Sequence, residues 1–194
     1  MKAYAVLSYN VLRGGWERDG RQVDHVSLGQ GEFCVSDGPD TVITTVLGSC
    51  VAACVRDPKT GIGGMNHFVL PRLPSGSRSD PSRYGSRLMP LLINRLLERG
   101  ASLKRLEAQV FGGASPGPFQ NPIGQNNVDF ALAYLAEHGI ATADPVRSGA
   151  AGCRLEFWPE SGRLIHTPLT GVKKVAGARI MLRPVKPLVL PSAA

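Results

Sequence analysis

No stretch of this chain approaches the run of about 20 apolar residues that a bilayer-spanning helix needs, so membrane insertion is not expected. The first residues, Met1 to Trp16, hold no apolar core of signal-peptide length, and Arg13, Gly14 and Gly15 interrupt them. The expected location is the cytoplasm. Cysteine is sparse and scattered: Cys34, Cys50, Cys54 and Cys153 form no dense framework, and free thiols are expected. Cys50 and Cys54 share a strand face by parity, but no second Cys pair or His pair offers zinc spacing. Neither a metal nor any other cofactor is expected. Aromatic residues make up 6% of the chain and do not interleave with the basic ones, which argues against a nucleic-acid module. Acidic residues are missing from Thr170 onward, where Lys173, Lys174, Arg179, Arg183 and Lys186 stand alone.

What is present suits one soluble domain. The chain has 194 residues, 43% of them apolar and 19% charged. The net charge of +7 is concentrated in the tail and in Arg72 to Arg105, where eight Lys/Arg face only Asp80 and Glu98. Such a surface suits an acidic protein partner met by electrostatic steering. Strands are expected at Glu32–Ser36, Thr41–Leu47, Leu106–Phe111, Ile140–Ala143, Gly152–Trp158 and Arg163–Pro168. One helix is expected from Asp80-Pro81 to Gly100, with Pro90 kinking it or delaying its start. A second runs from Asn121-Pro122 to Gly139. This order implies an α/β or α+β layered sandwich with a mixed β-sheet core and two main helices. Residues 1–30 read as an N-terminal extension, 31–169 as the domain, and 170–194 as a basic tail with a strand at Ala178–Leu182.

The chemistry concentrates in Thr44 to Pro71, TTVLGSCVAACVRDPKTGIGGMNHFVLP. It reads as two strands joined by a turn at Asp57-Pro58. Antiparallel pairing brings Cys50, near the start of one strand, beside His67, near the end of the other. A thiol beside an imidazole is the minimum for a cysteine nucleophile. Gly48 and Ser49 allow a sharp corner whose N–H groups could serve an oxyanion hole. Arg72 to Ser82, rich in Pro, Ser, Gly and Arg, is long enough for a flap beside it.

These residues also carry a resemblance. The run LGSCVAACVRDPKTGIGGMNHFVLP is similar to the chemoreceptor glutamine deamidase family, CheD. Phe111-Gly112-Gly113-Ala114-Ser115 and NPIGQNNV (Asn121 to Val128) match as well, and the likeness covers roughly Gly31 to Thr167 in order. It implies a nucleophile at Cys50, a general base at His67 and a third member at Thr44. Thr45 beside Thr44 leaves a one-residue ambiguity that strand alternation resolves, because only one of the two can face the site.

On this reading Cys50, ionised by His67, attacks a glutamine carboxamide, and N–H groups at Ser49 and Cys50 hold the oxyanion. Ammonia leaves, and water releases glutamate from a thioester. Glutamate methyl esters could pass through the same acyl-enzyme. The resemblance implies methyl-accepting chemoreceptors as substrates and a CheC-type chemotaxis phosphatase as a further partner. The rival readings are a receptor-binding adaptor without catalysis and a cysteine protease or free-glutamine amidase using the same dyad.

Overall fold

In the computed structural model, residues 16–18, 21–114, 122–148, 152–169 and 178–179 are described. Two sheets pack face to face, with two helices on the outer face of one. The helix-covered sheet has the order β3-β6-β5-β7-β8, with β9 pairing β7. Its strands are β3 (Phe33–Ser36), β5 (Val51–Arg56), β6 (Gly63–Asn66), β7 (Glu107–Gly112), β8 (Ala141–Thr142) and β9 (Val146–Arg147). The other sheet has the order β1-β2-β4-β10-β11-β12. It is built from β1 (Trp16–Arg18), β2 (Arg21–Ser27), β4 (Thr41–Leu47), β10 (Cys153–Trp158), β11 (Arg163–Pro168) and β12 (Ala178–Arg179). Each sheet mixes parallel and antiparallel pairs: β2–β4 and β7–β8 are parallel. The fold is α+β and layered, with the strands divided between two sheets.

Strand alternation explains the two cores. Along β5, Val51, Ala53 and Val55 face the helices, while Cys50, Ala52 and Cys54 face the second sheet. Helix α1 (Gly85–Glu98) lays Leu88, Met89, Leu92, Ile93 and Leu96 on the first of these faces. That is the i, i+4, i+8 stripe of an amphipathic helix, and each fully buried side chain contributes about 1.5–3 kcal/mol. Helix α2 (Ile123–Glu137) adds Val128, Ala131 and Leu135, and Phe130 meets Phe68 edge to face at 6.0 Å. Between the sheets lie Ile43, Leu47, Met65, Phe111, Leu155 and Phe157.

Three local features differ from the sequence expectation. Asp80 accepts from the Ser82 N–H at 2.9 Å, but it caps only the short 3-10 turn Pro81–Arg83, and α1 begins at Gly85. Pro90 stands inside a continuous α1, early enough that only the first turns are affected. Arg21–Ser27, within the expected extension, is a strand paired in parallel with β4. Ala178–Arg179 pairs with β11, and the remainder of the expected tail strand lies outside the described residues.

The turn of the β5–β6 hairpin is locked from inside. Asp57 is fully buried, and its carboxylate accepts from the Arg105 guanidinium at 2.6 Å and from the Ser102 and Lys59 N–H groups. The Arg105 bonds hold its carboxyl well below the usual carboxylate range.

Candidate active site

The site lies where the chain twice passes from one sheet to the other. Leu28 to Glu32 carries it from β2 to β3, and Gly48-Ser49-Cys50 carries it from β4 to β5. Because β2 and β4 are parallel neighbours, both crossings leave from the same end of the sandwich. The β6 strand ends there too, delivering His67. The His67 N–H donates to the Glu32 carbonyl at 2.9 Å, and the Gly31 N–H donates to the His67 carbonyl at 2.8 Å.

Cys50 and His67 are brought to one face of the ribbon. Cys54 pairs with Met65 and Val51 bridges Phe68, so Ala52 stands opposite His67 and Cys50 opposite Val69. Cys50 is therefore the diagonal neighbour of His67 rather than its direct partner, with both side chains toward the second sheet. Both are buried.

The second sheet supplies the hydroxyl. Thr45 Oγ1 lies 2.8 Å from His67 Nδ1 and donates to the Leu28 carbonyl at 2.8 Å. Thr44 points the other way, and its hydroxyl reaches the Val26 carbonyl at 3.4 Å. Alternation along β4 thus brings Thr45, not Thr44, to the imidazole. Since the single Thr45 proton goes to Leu28, Thr45 Oγ1 accepts from His67, which places the ring proton on Nδ1. Nε2 is then the basic nitrogen, and it has no hydrogen-bond partner among the described residues.

The corner is held by the other two motifs through its carbonyls. Gly48 O accepts from the Ala114 N–H at 2.8 Å and Cys50 O from the Gly113 N–H at 2.9 Å. Ser49 O accepts from Asn127 Nδ2 at 3.1 Å, and the same amide nitrogen reaches Val69 O at 2.8 Å. Asn127, fully buried on α2, therefore pins the nucleophile strand to the histidine strand. Gly112, at φ +111°, lets β7 come so close that a Cβ there would sit 2.2 Å from the Cys50 carbonyl oxygen. All three carbonyls of the corner are thereby committed.

Burial decides the charge state at rest. It pushes the Cys50 thiol up, against smaller lowering by its own N–H and by the Arg83 guanidinium. It pushes the His67 imidazole down, against smaller raising by Leu28 and Glu32. Both directions favour a neutral thiol beside a neutral imidazole, which departs from the expected preformed ion pair. Among the described residues no carboxylate is hydrogen-bonded to the ring to offset the cost of burying a charge. Cys34, Cys54 and Cys153 are raised by burial as well, Cys34 to about 11.

Sequence reasoning missed Gln30, whose Nε2 lies 3.8 Å from Cys50 Sγ. It falls one residue before the recognised stretch. Its flanking Gly29 and Gly31 were the available signal of close chain packing. Asn66, conspicuous beside His67, turns instead toward the helices, bonding the Ala53 N–H and Met89 Sδ. Asn127 lies in a quoted motif, but its clamp becomes visible only when α2 is packed. No cluster of potential metal ligands occurs among the described residues.

A family model described as CheD chemotactic sensory transduction matches residues 69–167. A relative from Agrobacterium fabrum (strain C58 / ATCC 33970) is 47% identical over 160 residues, covering 82% of this chain and 88% of its own. The chain belongs to the CheD family. A second member, from Rhizobium meliloti (strain 1021), is 47% identical over 173 residues, 88% of this chain and 93% of the relative. One from Caulobacter vibrioides (strain NA1000 / CB15N) is 49% identical over 140 residues, 72% and 75% respectively. All three CheD relatives bear the name probable chemoreceptor glutamine deamidase.

Proposed function

We propose that this chain is a protein-glutamine deamidase of chemoreceptors, with Cys50 as nucleophile, His67 as general base and acid, and Thr45 orienting the ring. The observation that carries the mechanism is the relay from His67 Nδ1 through Thr45 to the Leu28 carbonyl, which leaves Nε2 free to take a proton. The relatives' names supply the substrate class.

Both partners start neutral, so proton transfer accompanies attack. The Cys50 sulfur bonds the glutamine Cδ, its proton passes to His67 Nε2, and the carbonyl electron pair moves onto oxygen. Collapse of the tetrahedral intermediate breaks the C–N bond, with His67 returning the proton to departing ammonia. Water then adds to the thioester, giving its proton to His67, and glutamate leaves as the thiol is restored. A glutamate methyl ester enters the same thioester with methanol as leaving group.

Arg72, Arg78, Arg83 and Arg87 are exposed, Arg83 near enough to lower the Cys50 thiol, and such a surface suits the acidic signalling helices of a receptor. No helix among the described residues is long and apolar enough to cross a membrane. The proposal places the protein in the cytoplasm, where those helices lie, with a CheC-type phosphatase as a second partner on family resemblance.

Peptide mapping of a receptor cytoplasmic fragment tests the activity. The wild-type protein converts specific glutamines, each gaining about 1 Da, and Cys50→Ala converts none. Conversion by Cys50→Ala at the wild-type rate refutes the mechanism.

A further inference from the structure

Gln30 sits outside the dyad and its orienting hydroxyl, yet its carboxamide is a side-chain donor at the nucleophilic sulfur. We propose that Gln30 is a catalytic residue whose Nε2 donates to the oxyanion, jointly with the Cys50 backbone N–H. This rests on the thioester reading above.

The geometry favours that role. Sγ and Nε2 are 3.8 Å apart, long for a bond to a resting thiol. When sulfur bonds a carboxamide carbon, the new oxyanion stands next to sulfur, to one side of the Sγ–Nε2 line, where Nε2 can lie about 2.7–3.1 Å from it, the distance at which donors act on developing charge. The backbone offers a second donor on the residue that carries the sulfur, the Cys50 N–H, which works against the rise of its own thiol.

The loop that presents this side chain is anchored by its neighbours. Gly31, at φ +85°, bonds the His67 carbonyl, and a Cβ there would lie 3.0 Å from Ser82 Oγ. Gly29 donates to the Glu32 carboxylate at 2.7 Å. The loop carrying Gln30 is therefore closed on itself from Gly29 to Glu32 and fastened to the histidine strand at Gly31. A neutral carboxamide suits the task. It donates without a proton of its own to lose, and it takes no part in the proton balance between Cys50, His67 and water.

The test is steady-state deamidation of a receptor cytoplasmic fragment by the full chain carrying Gln30→Ala or Gln30→Met. The second keeps the side-chain length while removing the donor. The rate of Cys50 alkylation by iodoacetamide is measured in parallel. The expected result is a fall in kcat of about 10²–10³-fold in both variants, the loss typical of one oxyanion donor, with KM and alkylation within about twofold of wild type. Gln30→Glu falls at least as far, because a carboxylate repels the oxyanion. Unchanged kcat in Gln30→Met overturns the proposal. So does a rise confined to KM, which marks a binding contact, or an equal loss of alkylation, which marks an effect on the thiol. Activity in Cys50→Ala strikes the thioester reading instead, so the two failures are told apart.

Discussion

At the scale of single residues, burial and alternation decide what Cys50, His67 and Thr45 can do. Burial holds His67 below the ordinary histidine value of about 6.5, so its neutral, basic form persists through neutral pH. The acid limb of kcat/KM for the free enzyme is therefore expected below pH of about 6.5. Alkylation of Cys50 should still be rising at a pH of about 9, because its thiol is raised. A plateau of alkylation near neutrality would reveal the ion pair instead. The same depression has a stability consequence. Between the folded and unfolded values the unfolded chain binds more protons, so His67's contribution is present above about pH 6.5 and declines as pH falls below it. His67→Gln should flatten that part of the stability profile, measured by denaturant unfolding at successive pH values.

Thr45 gives the sharpest residue-level discrimination. Thr45→Val removes the acceptor for His67 Nδ1–H and should lower kcat/KM about tenfold, the value of one neutral hydrogen bond. Thr44→Val removes only the long contact to the Val26 carbonyl and should leave kcat/KM near wild type. The sequence contained the rule for choosing between them. It did not contain the phase, which is set by the β4 register against β10, where Thr45 pairs with Leu155.

At the scale of elements, the hairpin turn, the thiol and the imidazole were legible because each is local: Asp57-Pro58 is turn chemistry and the strand lengths follow from composition. What was not legible depends on elements distant in sequence. β2 reads as an extension until it pairs with β4, and only then does Leu28 reach Thr45. Asn127 is one polar residue of α2 until packing places it between Ser49 and Val69. Asn127→Ala leaves two part-buried carbonyls without that donor and should cost about 0.5–1.5 kcal/mol for each bond lost, read as a lower thermal midpoint. Gly112→Ala meets both a positive φ and the Cys50 carbonyl, and should lower stability and alkylation of Cys50 together.

At the scale of the whole molecule, two sheets and two crossings at one end assemble the site, and the far end of the hairpin is secured by Asp57 and Arg105. Asp57 is held below its ordinary range in the fold. Its contribution is thus present above an unfolded value of about 3.9 and is lost as pH falls from there through the folded value. Arg105→Ala should move the acid-unfolding midpoint to higher pH, followed by circular dichroism, while leaving the site chemistry intact. The surface adds the complementary element: a chain of net charge +7 with Arg83 exposed and close enough to act on Cys50.

The central claim is that Cys50 becomes covalently joined to a substrate glutamine. Rapid acid quench of the full chain turning over a receptor fragment, followed by mass mapping, reads that bond directly. The account predicts a thioester linking the Cys50 peptide to a receptor glutamine, formed together with a burst of ammonia. An adduct on Cys34, Cys54 or Cys153, or ammonia release in Cys50→Ala, would contradict it.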